Sequence, residues 1–393
     1  MAVNEQVFCF FMPRATFIGV GAAKEIPMRI KALGASKPLI VTDQGIVKTG
    51  ILGMVEKLLK ADGMDYAVYS DTIPNPTDQN VAEGVEMYKN SKCDALITLG
   101  GGSSHDCGKG VGLVISNGGK IHDYEGVDKS TKPLPPYLAV NTTAGTASEM
   151  TRFCIITDLS RKVKMAIVDW RVTPNTAIDD PLLMMGMPPF LTAATGMDAL
   201  THAVEAYVYT GATPMTDACA EKCIELVGVY LRKAVANGGD MEARDKMAHA
   251  QYLGGMAFNN ASLGYVHAMA HQLGGFYNLP HGECNAILLP YVCEFNLNAK
   301  LERYAKIAEL LGEKTCGMSA RDAALKAIES IRKLSSDVGI PAGLIELGKR
   351  YGKDVQEKDI ATMTGNAQKD ACMATNPRLA TDDQVAAIFK AAL

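Results

Sequence analysis

The sequence predicts an α/β domain with a mostly parallel sheet over residues 1–184 and an all-helical domain over residues 185–393. Up to about residue 180, short β-branched segments alternate with helical patterns, which is the order of βαβ units. Beyond that point the β-branched runs stop, and long segments rich in Ala, Met, Leu, Glu and Lys follow. A chain of 393 residues also exceeds the size at which one hydrophobic core keeps growing.

Four segments of the first domain predict strands, each entering a loop of Gly, Pro, Thr or Asn. They are KPLIVTDQG (37–45), MDYAVYSDTIPNPT (64–77), DALITLGGGSS (94–104) and PYLAVNTTAGT (136–146). Helical patterns such as GILGMVEKLLKADG lie between them. Strands joined through helices favour a parallel sheet with helices on its faces.

The second domain is predicted to begin near a proline-rich turn at Pro188 and Pro189. Its helical patterns include TDACAEKCIELVGVYLRKAVA (216–236) and SARDAALKAIESIRKLSSDVG (319–339). Both are rich in residues of high helix propensity, so we expect this domain to consist of helices.

The composition is that of an ordinary globular protein, with 48% hydrophobic residues, 21% charged residues and a net charge of −4. Such a chain is not expected to bind nucleic acid or an anionic membrane, so its partners are small molecules or copies of itself. The ten cysteines include no Cys-x-x-Cys pair, and we find no secretory leader and no stretch of roughly 20 apolar residues. We therefore expect reduced thiols and a cytoplasmic protein.

A glycine-rich turn follows the third predicted strand, in DALITLGGGSSHDCGKG. Glycines let a phosphate approach the backbone, and the first free N–H groups of a helix would point at it; the alternative is a tight turn before a helix. Two stricter motifs fail, because His105 stands where a dinucleotide fingerprint needs glycine and Gly110 follows Lys109 where a Walker loop needs Ser or Thr. Phosphoryl transfer is therefore disfavoured.

Asp43 closes the strand LIVTD, at the carboxyl edge where open α/β sheets bind ligands. A carboxylate there would accept hydrogen bonds from the ribose diol of an adenosine and would repel a 2′-phosphate, which favours NAD over NADP. The alternative is an Asp that only caps or turns the strand end.

Three of the seven histidines lie in HAMAHQLGGFYNLPH, at His267, His271 and His281. His267 and His271 are four residues apart in a helical pattern and are expected on one face. Glycines at 274–275 are predicted to break this helix before His281.

Asp198 and His202 are also four residues apart, in ATGMDALTHAVEAY. One carboxylate and up to three imidazoles from two helical segments form a plausible donor set for Zn²⁺ or Fe²⁺. The alternative is a hydrogen bond along one helix, with the other histidines buried in the core.

Four motifs closely resemble the iron-containing (group III) alcohol dehydrogenase family, in its ethanol and 1,3-propanediol dehydrogenase branch. They are GGGSSHDCGKG, NTTAGTASEMTRF, ATGMDALTHAVEAY and GYVHAMAHQLGGFYNLPHGECNAILLP, and the resemblance runs nearly end to end. It implies a dinucleotide-binding α/β domain that faces a helical metal-binding domain across a cleft. It also implies hydride transfer between NAD and short-chain primary alcohols or diols and their aldehydes, with Fe²⁺ favoured and Zn²⁺ also compatible. The resemblance further implies a homo-oligomer, as a dimer or an assembly of dimers.

Carried over by position, the resemblance implies Asp198, His202, His267 and His281 as metal ligands. It makes His271 the catalytic residue, near the nicotinamide and in a proton path. The implied cofactor-binding residues are Asp43, Asn75, Gly101, Gly102, Ser103, Thr142, Thr143, Thr151, Phe153 and Lys164.

Two other functions stay open at this point. A sister enzyme on the same scaffold, such as a glycerol dehydrogenase or a dehydroquinate synthase, also pairs a nicotinamide cofactor with a divalent metal. In a non-catalytic metal-binding scaffold, the ion would only hold helices together. Phe153, Phe258 and Tyr265 are candidates for an apolar substrate lining, with plain core packing as the alternative.

Overall fold

The computed structural model describes residues 7–161 and 163–393, and its first half is built on a six-stranded sheet. The strands are β1 (Ala15–Ile18), β2 (Pro38–Val41), β3 (Ala67–Tyr69), β4 (Ala95–Gly100), β5 (Gly126–Val127), β6 (Tyr137–Asn141), β7 (Phe153–Asp158), β8 (Val163–Val168) and β9 (Thr176–Asp179). The order β1-β9-β6-β4-β2-β3 is parallel at every pairing. A small sheet, β5-β8-β7, pairs β7 and β8 antiparallel. The predicted α/β class with a mostly parallel sheet is confirmed.

Helices cover both faces of the large sheet, as α1 (Ile26–Ala32), α2 (Gln44–Lys48), α3 (Ile51–Ala61), α4 (Asp78–Asn90) and α5 (Gly102–Asn117). Successive side chains of a strand point to opposite faces. Leu39 and Val41 of β2 accordingly pack in the core under α4 and α5, and Ile40 packs in the core under α1 and α3. Burial on both faces explains why these strands are continuously apolar.

The second half is helical, with α6 (Pro181–Met184), α7 (Pro189–Val208), α8 (Pro214–Ala236), α9 (Met241–Ala261), α10 (Tyr265–Tyr277), α11 (His281–Asn296), α12 (Leu301–Leu310), α13 (Ala320–Asp337), α14 (Leu344–Arg350), α15 (Ile360–Ala367) and α16 (Asp382–Ala391). Proline occupies the first turn of α7 and α8, where no N–H partner is lost. Every residue of α7 from Thr192 to Val208 is buried, so this helix is the centre of the helical core. Within the described residues, no helix is both long and apolar enough to cross a bilayer.

The glycines at 274–275 do not break the helix that carries His267 and His271, so that expectation was wrong. A helix tolerates glycine at about 1 kcal/mol, and the tertiary packing of α10 offsets this cost. The helix instead ends at Tyr277, where Asn278 adopts a left-handed conformation with φ 54°. Strands β1, β5, β7, β8 and β9 were not predicted.

Two buried carboxyl groups connect the sheet to the helical half. The Gln251 side chain, on α9, donates from Nε2 to Glu149 Oε1 at 2.7 Å and to Asp179 Oδ1, at the end of β9, at 3.0 Å. Burial raises the pKa of Glu149 to about 7 and raises that of Asp179 well above its ordinary value. Two acids beside one amide in a buried site cannot both ionise readily, so at least one of them holds a proton near neutral pH.

Candidate active site

Four side chains from three helices meet in the helical half. Asp198 and His202 lie one turn apart on α7, His267 lies in the first turn of α10, and His281 begins α11. The Nε2 atoms of His202 and His267 are each 4.0 Å from Asp198 Oδ1. The Nε2 atom of His281 is 3.7 Å from the same oxygen. The fold therefore brings together the four residues predicted as metal ligands.

A glycine makes this convergence of helices possible. A methyl group on Gly282 would lie 2.3 Å from the carbonyl oxygen of Ala194 and 3.4 Å from Cβ of Asp198. Real side chains essentially never approach a backbone atom so closely. The absence of a side chain at this position lets the start of α11 pack directly against α7, beside Asp198.

The protonation of the cluster suits a divalent cation. Desolvation lowers the pKa of His267 and of His281 well below the ordinary histidine value, so both rings are neutral and offer a lone pair. Burial opposes ionisation of Asp198, but the neighbouring imidazoles and an amide outweigh it and lower the pKa of this carboxyl. One donor atom each from Asp198, His267 and His281 lies within 4.8 Å of the others. Neutral imidazoles with one carboxylate fit Fe²⁺ or Zn²⁺.

The ring of His202 lies beside the other three proposed metal ligands. It stacks on His267 with ring centroids 4.8 Å apart and on Phe258 at 4.2 Å. Its Nε2 faces Asp198, whereas its Nδ1 is buried without a hydrogen-bond partner in the part of the chain that the structure describes. The ring of Phe153 is 6.0 Å from that of Phe258. These two phenylalanines form an apolar wall beside the imidazoles, whereas Tyr265 is fully buried and hydrogen-bonds to Gln368.

The carboxylate of Glu205 determines the tautomer of His267. Glu205 is 1% exposed and accepts the Nδ1 proton of His267 at 2.5 Å. It also accepts hydrogen bonds from the backbone N–H of Val266 at 2.8 Å and from the hydroxyl of Tyr209. With Nδ1 protonated, the lone pair of His267 lies on Nε2, which faces Asp198. Desolvation raises the pKa of Glu205 to about 7.

His271 differs from the other three histidines in its partner. Its side chain is 29% exposed and that of His281 is 37% exposed, whereas those of His267 and His202 are 1% and 5% exposed. The side of the cluster that His271 and His281 form can therefore exchange protons with solvent. Its Nδ1 donates to Asp370 Oδ2 at 2.8 Å, and its ring stacks on His281 at 5.5 Å. Burial opposes ionisation of Asp370, but the bond to His271 lowers the pKa of this carboxyl. The ionised carboxylate therefore leaves Nε2 of His271 as the proton acceptor.

A cavity of about 620 Å³ lies at the carboxyl edge of the sheet. The predicted residues Asp43, Gly101, Gly102 and Ser103 line it, together with the loop after β3. Helix α5 starts at Gly102, so its first N–H groups lie at this cavity. A methyl group on Gly101 would come within 3.0 Å of Thr143 Cγ2, which places Thr143 beside the turn.

Asp43 also caps helix α2, as the alternative interpretation expected. Its Oδ1 accepts from the N–H of Ile46 at 3.0 Å, and its Oδ2 accepts from the hydroxyl of Ser104 at 3.2 Å. The carboxylate is half-buried and lines the cavity at the same time. Capping therefore holds the carboxylate in place without removing it from the cavity.

The remaining predicted cofactor residues fall into three sets. Asn75 accepts from Lys164 Nζ at 2.8 Å and donates to Asn278 Oδ1 at 3.2 Å, which connects the sheet half to the end of α10. The buried Lys109 contacts both Thr151 and Phe153. Its Nζ donates to Thr151 Oγ1 at 3.1 Å and to the Phe153 carbonyl at 2.7 Å. Thr142 is 3% exposed and donates its N–H to the carbonyl of Gly100. These residues do not line the cavity.

Sequence reasoning missed several residues of the site. Glu205 follows His202 by three positions, and Asn285 follows His281 by four. Both spacings put the second residue on the same helix face as the first, and this signal could have identified them. Asp370 gave no such signal, because it lies 99 positions from its partner His271.

A nucleotide-sized cavity at the edge of a parallel sheet, combined with a cluster of one carboxylate and three imidazoles, defines a class of metal-dependent dehydrogenase. The family model described as iron-containing alcohol dehydrogenase matches residues 13–181. The model for the C-terminal part of the Fe-containing alcohol dehydrogenase family matches residues 192–393. The chain belongs to the iron-containing alcohol dehydrogenase family.

Individual relatives agree over the whole chain. The chain is 51% identical to the NAD-dependent methanol dehydrogenase of Bacillus methanolicus, over 98% of this chain and 99% of that protein. It is 53% identical to alcohol dehydrogenase 4 of Schizosaccharomyces pombe, over 98% of this chain and 89% of that protein. A crystal structure of 1,3-propanediol oxidoreductase superposes with a TM-score of 0.96 at 49% identity, over 99% of this chain and 100% of that one. The expected enzyme class, alcohol–aldehyde oxidoreduction with NAD and iron, is confirmed, and the scaffold alternative is disfavoured.

Proposed function

We propose that this protein is an NAD- and iron-dependent dehydrogenase that interconverts short-chain primary alcohols or diols and their aldehydes. The observation that carries the proposal is the convergence of three imidazole rings on the single oxygen Asp198 Oδ1. The names of similar proteins, which include a methanol dehydrogenase and a 1,3-propanediol oxidoreductase, support small primary alcohols as the substrate class.

Asp198, His202, His267 and His281 would hold the cation, with Fe²⁺ favoured and Zn²⁺ also compatible with the donor set. A bound divalent cation supplies positive charge that stabilises the alkoxide form of an alcohol, and NAD supplies the carbon that accepts the hydride. The apolar wall of Phe153 and Phe258 excludes water beside the imidazoles, which suits a short alkyl chain.

The cofactor would bind between the sheet and the helical half. The N–H groups at the start of α5 suit a pyrophosphate, and Asp43 suits the ribose diol of NAD while repelling the 2′-phosphate of NADP. The full proposed set is Asp43, Asn75, Gly101, Gly102, Ser103, Thr142, Thr143, Thr151, Phe153 and Lys164. The bridge from Lys164 through Asn75 to Asn278 supports contact between this set and the helix that carries His267 and His271.

His271 would carry the proton that leaves the alcohol. The carboxylate of Asp370 keeps the proton of the imidazole on Nδ1, so Nε2 can accept the hydroxyl proton. The partial exposure of the ring then allows transfer of this proton to solvent. In the reverse direction the same nitrogen donates a proton to the aldehyde oxygen.

Three coarser features complete the proposal. The domain boundary lies at residues 184/185, which the gap between the two family matches supports. A homo-oligomer, as a dimer or an assembly of dimers, is also part of the proposal. Light scattering would measure the oligomeric state. The ten free cysteines support a reducing, cytoplasmic location.

The test combines metal analysis of anaerobically purified protein with NADH formation at 340 nm. We expect one metal per chain and turnover of methanol, ethanol, 1-butanol or 1,3-propanediol, with loss on chelation and recovery on adding Fe²⁺. A preference for glycerol over all of these alcohols would move the protein to the polyol branch. One bound metal with no turnover of any alcohol or aldehyde would contradict the enzymatic proposal.

A further inference from the structure

The side chain of Asn285 lies at the centre of the acid-and-imidazole cluster. It is fully buried on α11, one turn after His281. Its Nδ2 atom is 2.7 Å from Asp198 Oδ1, 3.1 Å from His267 Nε2 and 3.0 Å from His281 Nε2. A single atom thus contacts one donor atom of three proposed metal ligands, which come from three different helices.

The chemistry of these neighbours fixes the orientation of the amide. The oxygen of Asp198 is a carboxylate acceptor, and Nε2 of His267 is an acceptor because its Nδ1 proton is held by Glu205. An amide oxygen at the same place would face lone pairs, so the NH₂ group must point into the cluster. The Oδ1 atom of Asn285 is buried and has no hydrogen-bond partner among the described residues. An amide that served only the core would be expected to satisfy both ends.

The three contacts are not equivalent. An NH₂ group carries two hydrogens, so it cannot satisfy three acceptors fully. The contact with Asp198 is the shortest, and its acceptor is charged, which makes it the strongest of the three. An imidazole nitrogen has one lone pair, which can bind either the amide hydrogen or a cation. A carboxylate oxygen has two lone pairs, so it can bind both at once. Only the bond to Asp198 is therefore compatible with metal ligation.

We infer that Asn285 is a positioning residue of the metal centre, an inference that rests on the proposed metal ligands. Its bond to Asp198 Oδ1 orients the one charged ligand. Its contacts with His267 and His281 hold the two imidazole nitrogens beside that oxygen until a cation takes their lone pairs. The amide thereby reduces the reorganisation that the three helices must undergo to bind a cation.

The matched experiment compares Asn285→Leu with Asn296→Leu. Asn296 lies on the same helix and is 1% exposed, and its Nδ2 donates to Asn376 Oδ1 at 3.0 Å, outside the cluster. Each protein is stripped with a chelator, and Zn²⁺ affinity is measured by titration against a chromophoric competitor. We expect Asn285→Leu to bind Zn²⁺ about 10- to 100-fold more weakly than the unmodified chain, and Asn296→Leu to keep its affinity.

The possible results distinguish the positioning role of Asn285 from the proposed metal site on which it rests. Unchanged or tighter Zn²⁺ binding by Asn285→Leu, or an equal loss in both variants, overturns the positioning role. Where circular dichroism shows that Asn285→Leu does not fold, the smaller Asn285→Ser replaces it, with the same expectation. Failure of the unmodified chain to bind Zn²⁺ or Fe²⁺ overturns the proposed metal site itself.

Discussion

Replacing Gly282 with alanine tests whether the close packing of two helices holds the metal site together. The new methyl group would lie 2.3 Å from the carbonyl oxygen of Ala194 and 2.8 Å from its carbonyl carbon. These are backbone atoms, which cannot turn aside as a flexible side chain would. Helix α11 must therefore move away from α7, and His281, the neighbouring residue, moves with it.

The size of this displacement follows from the contact distance. Restoring a 3.0 Å separation from the Ala194 oxygen requires a shift of about 0.7 Å. Functional constellations work within about 0.5 Å of their productive geometry, and a misplacement of about 1 Å lowers rates by roughly 100-fold. We therefore expect Gly282→Ala to lower kcat/KM by about 100-fold. Overpacking of this kind also destabilises a fold by about 1–3 kcal/mol.

The assay measures metal content, alcohol-dependent NADH formation and thermal unfolding of the same preparations. The matched control is Gly53→Ala in α3, because its methyl group would meet no atom within 4 Å beyond the adjacent residues and the backbone of its own helix. That control should keep its kcat/KM and gain about 0.5–1 kcal/mol of stability, as expected for alanine in a helix interior. Normal metal content and normal turnover in Gly282→Ala would refute the argument.

Four further predictions address single side chains. Glu205→Gln should weaken metal binding about 10- to 100-fold in a chelator titration, because the acceptor of the His267 Nδ1 proton loses its charge; unchanged affinity would contradict this. The folded chain retains the Glu149 proton up to about pH 7, whereas the unfolded chain releases it near pH 4.5. The stability of the unmodified chain therefore falls as pH rises through this window, and Glu149→Gln should flatten this pH dependence. Denaturant unfolding at pH 5 and pH 8 measures the change in the free energy of unfolding between the two pH values. An equal change in the unmodified chain and in Glu149→Gln would contradict this prediction. Asp43→Gly should improve kcat/KM with NADP relative to NAD, and an unchanged ratio of the two values would contradict the proposed contact between Asp43 and the ribose. His271→Ala should keep its metal but turn over slowly, and loss of the metal would show that this histidine is a ligand.

The sequence predicted most of the fold because its signals are local. The four strand segments it identified correspond to β2, β3, β4 and β6, and the two long helical patterns correspond to α8 and α13. Strands β1 and β9 were missed although each is as long as β2. They pair with each other across the first domain, with Ala15 beside Thr176, and no local pattern indicates such a pairing. The helix break expected at 274–275 failed because packing around α10 outweighs the weak helix propensity of glycine.

Within the site, the sequence by itself determined the pairs that share one helix. Asp198 and His202 are one helical turn apart whatever surrounds them, and the same holds for His267 and His271. Backbone geometry sets such spacings. The resemblance to the family then added His281 and completed the predicted set of metal ligands.

Only the tertiary structure decided which distant groups meet. The contact of Glu205 with His267 joins residues 62 positions apart, and the contact of His271 with Asp370 joins residues 99 positions apart. Such pairs depend on how whole helices pack, and that packing is set by steric details such as the missing side chain of Gly282. Protonation state, burial and ligand geometry all follow from these long-range contacts, so no local pattern in the chain could have determined them.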